Sequence, residues 1–177
     1  MKRLLSTLLL ATLTAYAHAA PAATHATMTT TSQQDTDASL AKKHPSELYL
    51  YAKQLFETGH KDEAVTWFYI GQLRWRYHLL AHPELPPDGE PAAMNALNAT
   101  LGQTINEWAG GSPTAWRAAI GKALAWDAAH PNPTPPKARY ADQWQQVRAG
   151  LMQLDAYLRD NENQIRTERQ ARGLENR

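Results

Sequence analysis

KDEAVTWFYIGQLRWRYHLLA, residues 61–81, sets the fold class. Trp67, Phe68 and Tyr69 are consecutive, so their side chains point around more than half of a helix circumference, which a one-sided surface helix does not allow. The spacing predicts a helix from about Lys61 to Ala81, buried at the centre of a bundle, with Asp62 and Glu63 near the positive end of its dipole. Gly71 costs roughly 1 kcal/mol relative to alanine inside a helix, and the expected return is close approach of a neighbour, here the preceding helix at Ala52. His82 precedes Pro83, which stops the helix.

Upstream, Pro45 suits a first helical turn, and Leu48, Tyr51, Ala52, Leu55 and Phe56 recur at helical spacing until Gly59 caps the end. Downstream, HPELPPDGEP over residues 82–91 reads as a loop. Met94, Leu97, Leu101, Ile105 and Trp108 then make one stripe of a third helix, with a kink expected at Gly102 and an end at Gly110-Gly111. Ser112-Pro113 starts a fourth helix carrying Trp116, Ile120, Ala123, Leu124 and Asp127 on one side. Pro131, Pro133, Pro135 and Pro136 make a stiff connector. From about Lys137, Tyr140, Trp144, Val147, Leu151, Leu154 and Leu158 alternate four and three apart, a seam able to strap the other helices or to pair two copies as a homodimer. After about residue 159 the chain is expected to be a solvated or fraying extension. The expectation is an all-α protein: a single irregular bundle of about five helices over residues 44–177, with a long C-terminal helix.

The first twenty residues, MKRLLSTLLLATLTAYAHAA, read as a signal peptide: Lys2 and Arg3, then an apolar stretch from Leu4 to Leu13, then Ala17-His18-Ala19 as a cleavage site. Residues 1–19 are assigned to it. The apolar stretch is too short to span a bilayer, so the mature chain is not expected to insert into a membrane. Residues 20–43, rich in Ala, Thr, Ser and Gln, are read as a flexible leader. Localisation is then export, with the periplasm as the expected compartment. The full chain has 18 basic and 17 acidic residues; loss of Lys2 and Arg3 turns the net charge of +1 into about −1, which offers nucleic acid no basic footprint. Cysteine is absent, which removes thiol nucleophiles and thiolate metal sites. The roughly 155 remaining residues suffice for a core without cross-links.

Leu48, Tyr51, Ala52, Leu55, Gly59, Ala64, Phe68 and Gly71, with the phrase DEAVTWFYIGQ, resemble one helical hairpin of the tetratricopeptide and Sel1-like repeats over residues 46–80. Arg76 departs from that pattern, where proline is usual, and no second unit follows. The resemblance implies a helix-turn-helix packed by small residues and a surface for binding protein, with no catalytic residue. The run WFYIGQLRWRY is also similar to small exported proteins of Gram-negative bacteria, some of which act as immunity proteins against secreted toxins.

Several residue groups bear on chemistry. His78 and His82 have the spacing of two zinc ligands on one helix face, with Glu84 or Asp88 as a third, but Pro83 breaks the helix immediately after His82 and no glutamate follows His78 directly. They are read as helix-end histidines, and no metal or other cofactor is expected. Arg74, Trp75, Arg76, Glu107 and Trp108 suggest a polar pocket with aromatic walls; the competing structural reading is helix ends clamped by arginine stems over indole faces. Glu107, in the apolar context INEW, is the one carboxylate whose neighbours suggest an unusual environment, but it has no evident carboxylate partner for glycoside hydrolysis. Ser46 and Ser112 are helix-start residues rather than nucleophiles. The expected function is an exported, non-catalytic binding protein with a protein partner, of the periplasmic immunity type, presenting the acidic, proline-stiffened loop with Glu84, Asp88 and Glu90. The alternative is a protein that binds or hydrolyses cell-wall peptidoglycan through Glu107, His78 and the nearby tryptophans.

Overall fold

The computed structural model describes residues 35–133 and 135–177; the expected signal peptide and the leader up to residue 34 lie outside them. After a helical stretch over residues 35–40, seven α-helices follow one another among the described residues: α1 (Pro45–Glu57), α2 (Lys61–Ala81), α3 (Glu90–Leu97), α4 (Gln103–Gly110), α5 (Pro113–Ala129), α6 (Ala141–Asp160) and α7 (Glu162–Ala171). A π-helical turn, Asn98–Gly102, joins α3 to α4. No described residue is in a strand, so the all-α expectation holds. Among the described residues, no helix is long and apolar enough to cross a membrane.

The centre is α2, which buries Val65, Trp67, Phe68, Ile70, Leu73 and Trp75 on several faces, as the consecutive aromatics require. Helix α1 lies against it as a tight hairpin, turned at Gly59, whose φ of +90° suits glycine. A Cβ on Gly71 would stand 2.9 Å from the Tyr49 ring and 3.2 Å from Leu48 Cβ, so the absent side chain is what lets α1 approach. The approach occurs at Leu48 and Tyr49, one turn before Ala52. Edge-on aromatic contacts fill the interior, with Tyr49–Phe68 centroids at 5.0 Å, Tyr51–Trp67 at 5.2 Å and Trp67–Trp126 at 5.1 Å.

The count of about five helices is corrected by two breaks. The third expected helix becomes two because the chain widens into the π turn beside α2. A Cβ on Gly102 there would stand 3.0 Å from Phe68, and Asn98 Oδ1 accepts from Tyr49 Oη at 3.0 Å and Gln72 Nε2 at 3.2 Å. The last helix breaks at Asn161, whose side-chain amide donates to the Tyr157 carbonyl at 2.8 Å.

The two ends of the described residues are more structured than apolar spacing suggests. Residues 35–40 of the expected leader are helical, and Ala41 is buried under α2, where its carbonyl accepts from Arg74 Nη1 at 2.7 Å. From residue 162 the end is solvated, α7 having no buried residue, and it is also tied to the bundle: Arg169 Nη1 donates to the Glu107 carbonyl at 2.8 Å and the Arg177 amide to the Gly111 carbonyl at 2.6 Å. Polar contacts hold this end, which a search for apolar periodicity does not see.

The seam of α6 lies along the bundle as a strap against α2 and α5, with Leu151 and Leu158 buried and Val147 and Leu154 packed on the core. Above it sits a buried charge network. Arg74 and Asp127 are 0% and 1% exposed and meet at 3.3 Å. Asp127 Oδ2 accepts from Trp144 Nε1 at 2.7 Å and lies 3.5 Å from Arg148 Nη1, while Oδ1 lies 3.5 Å from Lys137 Nζ. Arg74 also donates to the carbonyls of His130 and Pro131, at 3.3 and 3.0 Å.

Removing one partner of such a pair strands the other charge. Asp127→Ala is therefore expected to lower unfolding stability by about 3–5 kcal/mol in urea titrations followed by circular dichroism.

Candidate functional site

The start of α1, the last turns of α2 and the first residue of α3 converge on Glu90. Its Oε2 accepts from Trp75 Nε1 at 3.2 Å and lies 3.3 Å from His44 Nε2 and 3.2 Å from His78 Nε2. His44 is the N-cap of α1: its Nδ1 accepts the Ser46 amide at 3.3 Å and lies 2.8 Å from Ser46 Oγ, while its own amide donates to Glu47 Oε1 at 3.3 Å. The cap thus holds the ring with Nε2 toward Glu90.

His78 is only 12% exposed, and neither of its ring nitrogens makes a hydrogen bond, because the approach to Glu90 lies off the line such a bond needs. Burial pushes its imidazole below the usual histidine range, outweighing the opposite pull of Glu90. Burial thus works against a charged ring at His78, close as the Glu90 carboxylate is. His82 stacks obliquely on His78, centroids 4.8 Å apart, and turns Nδ1 outward to Glu84 Oε1 at 2.9 Å.

The loop between α2 and α3 is built from two turns, with the Leu85 amide donating to the His82 carbonyl at 3.2 Å and the Gly89 amide to the Pro86 carbonyl at 3.0 Å. Glu84 and Asp88 face solvent, the Glu84 side chain being 69% exposed. The Glu84 carboxyl is held below the usual carboxylate range by its own backbone amide and by His82. Glu90 turns inward, its side chain 35% exposed, so Glu84, Asp88 and Glu90 do not form one outward surface.

The expected pocket of Arg74, Trp75, Arg76, Glu107 and Trp108 does not form. Three consecutive helical residues diverge by roughly 100° each, so Arg74 enters the Asp127 network, Trp75 reaches Glu90, and Arg76 is exposed on a third face. Trp108 is at the other end of the bundle, where its Nε1 donates to Asp62 at 3.1 Å and Arg177 covers its ring at 3.5 Å. Trp108 under Arg177 matches the clamping reading, whereas Arg74 lies over Trp126 and Trp75 packs edge-on against His44 and Tyr49.

Two of the surface clefts carry polar and aromatic side chains together. One, about 350 Å³, runs between α2 and α6 and is lined by Tyr69, Leu73, Arg76, Trp116, Val147 and Leu154. Among the described residues Arg76 has no ion-pair partner. The Tyr69 hydroxyl donates to Asn106 at 2.8 Å and accepts from Trp116 at 2.9 Å, and burial pushes its phenol above the usual range. The other, about 330 Å³, is lined by Glu107, Trp116, Ile165, Glu168, Arg169 and Arg172. It brings a second carboxylate to Glu107, which the sequence did not suggest because Glu168 belongs to the end expected to fray.

His44 is the residue that sequence reasoning missed. Its signal was weak: a histidine before Pro45 reads as a helix-start residue, and its partners lie 34 and 46 positions away. Glu90→Ala removes the acceptor for Trp75 Nε1 and is expected to cost about 1–3 kcal/mol. Glu84→Ala and Asp88→Ala are expected to stay within about 0.5 kcal/mol of the parent, all three compared by thermal and urea unfolding. No family model, curated protein or solved structure matches the chain.

Proposed function

We propose that this chain is an exported binding protein without catalysis of its own, acting in the periplasm as an immunity-type inhibitor of a secreted toxin. The observation that carries the reading is the loop over residues 82–89. Its two turns and Pro83, Pro86 and Pro87 set its course, its downstream end is anchored through Glu90, and it presents Glu84 and Asp88 to solvent. A loop ordered in advance loses little conformational freedom on docking, and its carboxylates suit a basic cleft. The α1–α2 hairpin, packed at Gly71, supports the likeness to protein-binding helical repeats.

A second reading has one observation in its favour. Glu107 and Glu168 line the same cleft beside Trp116, and two carboxylates with an aromatic wall are the elements that a peptidoglycan-binding or peptidoglycan-hydrolysing site requires.

The purified protein, tagged and mixed with periplasmic extract and extracts of competing bacteria, is expected to capture one stoichiometric protein partner. The double variant Glu84→Lys, Asp88→Lys is expected to weaken that complex at least tenfold with an unchanged melting temperature. Capture that ignores the double variant removes the loop from the interface. Absence of a protein partner, with release of soluble fragments from purified peptidoglycan that Glu107→Gln abolishes, replaces the inhibitor reading with the cell-wall one.

A further inference from the structure

We infer that His44, His78 and Glu90 form a binding site for a divalent transition-metal cation of the zinc class. One nitrogen or oxygen from each residue lies within 4.8 Å of the other two. Zinc binds imidazole nitrogen and carboxylate oxygen at about 2.0–2.2 Å in tetrahedral geometry, which places neighbouring ligand atoms about 3.3–3.5 Å apart. Glu90 Oε2 already stands 3.3 Å from His44 Nε2 and 3.2 Å from His78 Nε2, so two edges of the tetrahedron have nearly the required length. The third closes by a turn of the His44 ring, which is 40% exposed, out of its cap position.

The surroundings fit a metal better than they fit a simple polar cluster. Both nitrogens of His78 are buried without a hydrogen bond, a condition that native interiors rarely leave unrelieved, and a cation on Nε2 gives that nitrogen its partner. Metal binding at His44 Nε2 requires the tautomer with its proton on Nδ1, which exchanges the cap bond from the Ser46 amide for donation to Ser46 Oγ, 2.8 Å away. Trp75 Nε1, donating to Glu90 Oε2 at 3.2 Å, orients the carboxylate in the same way. Each ligand comes from a different element, so the cation ties the start of α1 and the start of α3 to α2. Three protein ligands leave a fourth position open to water or to a group brought by a partner.

This inference does not depend on the inhibitor reading, and its test needs no partner. The purified protein, freed of metal with a chelator, is titrated with zinc chloride by calorimetry and with cobalt chloride by visible absorption. The expected result is one equivalent bound, a cobalt spectrum of tetrahedral intensity, and a melting temperature raised by roughly 5–10 °C at a hundredfold excess of zinc over the dissociation constant. His44→Asn keeps a good N-cap, and Glu90→Gln keeps an acceptor for Trp75, so both variants remain folded without metal. Each is expected to lose at least tenfold in zinc affinity and to abolish the cobalt band. No zinc binding tighter than about 100 μM, or binding that both variants leave intact, overturns the assignment.

Discussion

A single buried carboxylate organises this bundle. Asp127 is 1% exposed and receives Arg74 from α2, Trp144 and Arg148 from α6, and Lys137 from the connector between α5 and α6. Arg74, fully buried as well, spends its remaining donors on the carbonyls of Ala41, His130 and Pro131. Apolar packing alone lets neighbouring helices slide by a turn at small cost, but a desolvated charge has few arrangements in which all its partners are met. The network therefore fixes how far α6 lies along α2 and where the proline-rich connector turns. The cleft between α2 and α6 inherits its shape from that registration.

The parts of the fold legible in the sequence were those written in apolar spacing. Trp67-Phe68-Tyr69 announced a helix surrounded by neighbours, the leucine seam announced a strap, and Gly102 marked a change of helical course. What escaped was written in pairs far apart in the chain. Arg74 and Asp127 are 53 positions apart, and a lone arginine among tryptophans suggests a surface clamp as readily as a buried ion pair. The ordering of α7 escaped because arginine side chains bonding to backbone carbonyls leave no periodic trace.

The candidate site divides along the same line. Its outward half, Glu84 and Asp88, was readable because proline, glycine and acidic residues in one short stretch describe an exposed loop by themselves. Its inward half was not, because Glu90 is distinguished from its neighbours only by Trp75, His44 and His78, which the helices bring to it. One loop thus carries carboxylates of two kinds, those shown to solvent and one held as an anchor.

The enclosure of α2 also shapes how the chain folds as it is made. Synthesis delivers α1 and α2 first, which pair as neighbours in sequence, whereas α5 and α6, which also pack on α2, follow later. Leu151 follows Ala81 by about 70 residues, an interval of roughly 4–14 s at ribosomal rates. During that time α2, whose Trp67, Phe68, Ile70 and Leu73 are all buried in the finished fold, is only half-covered.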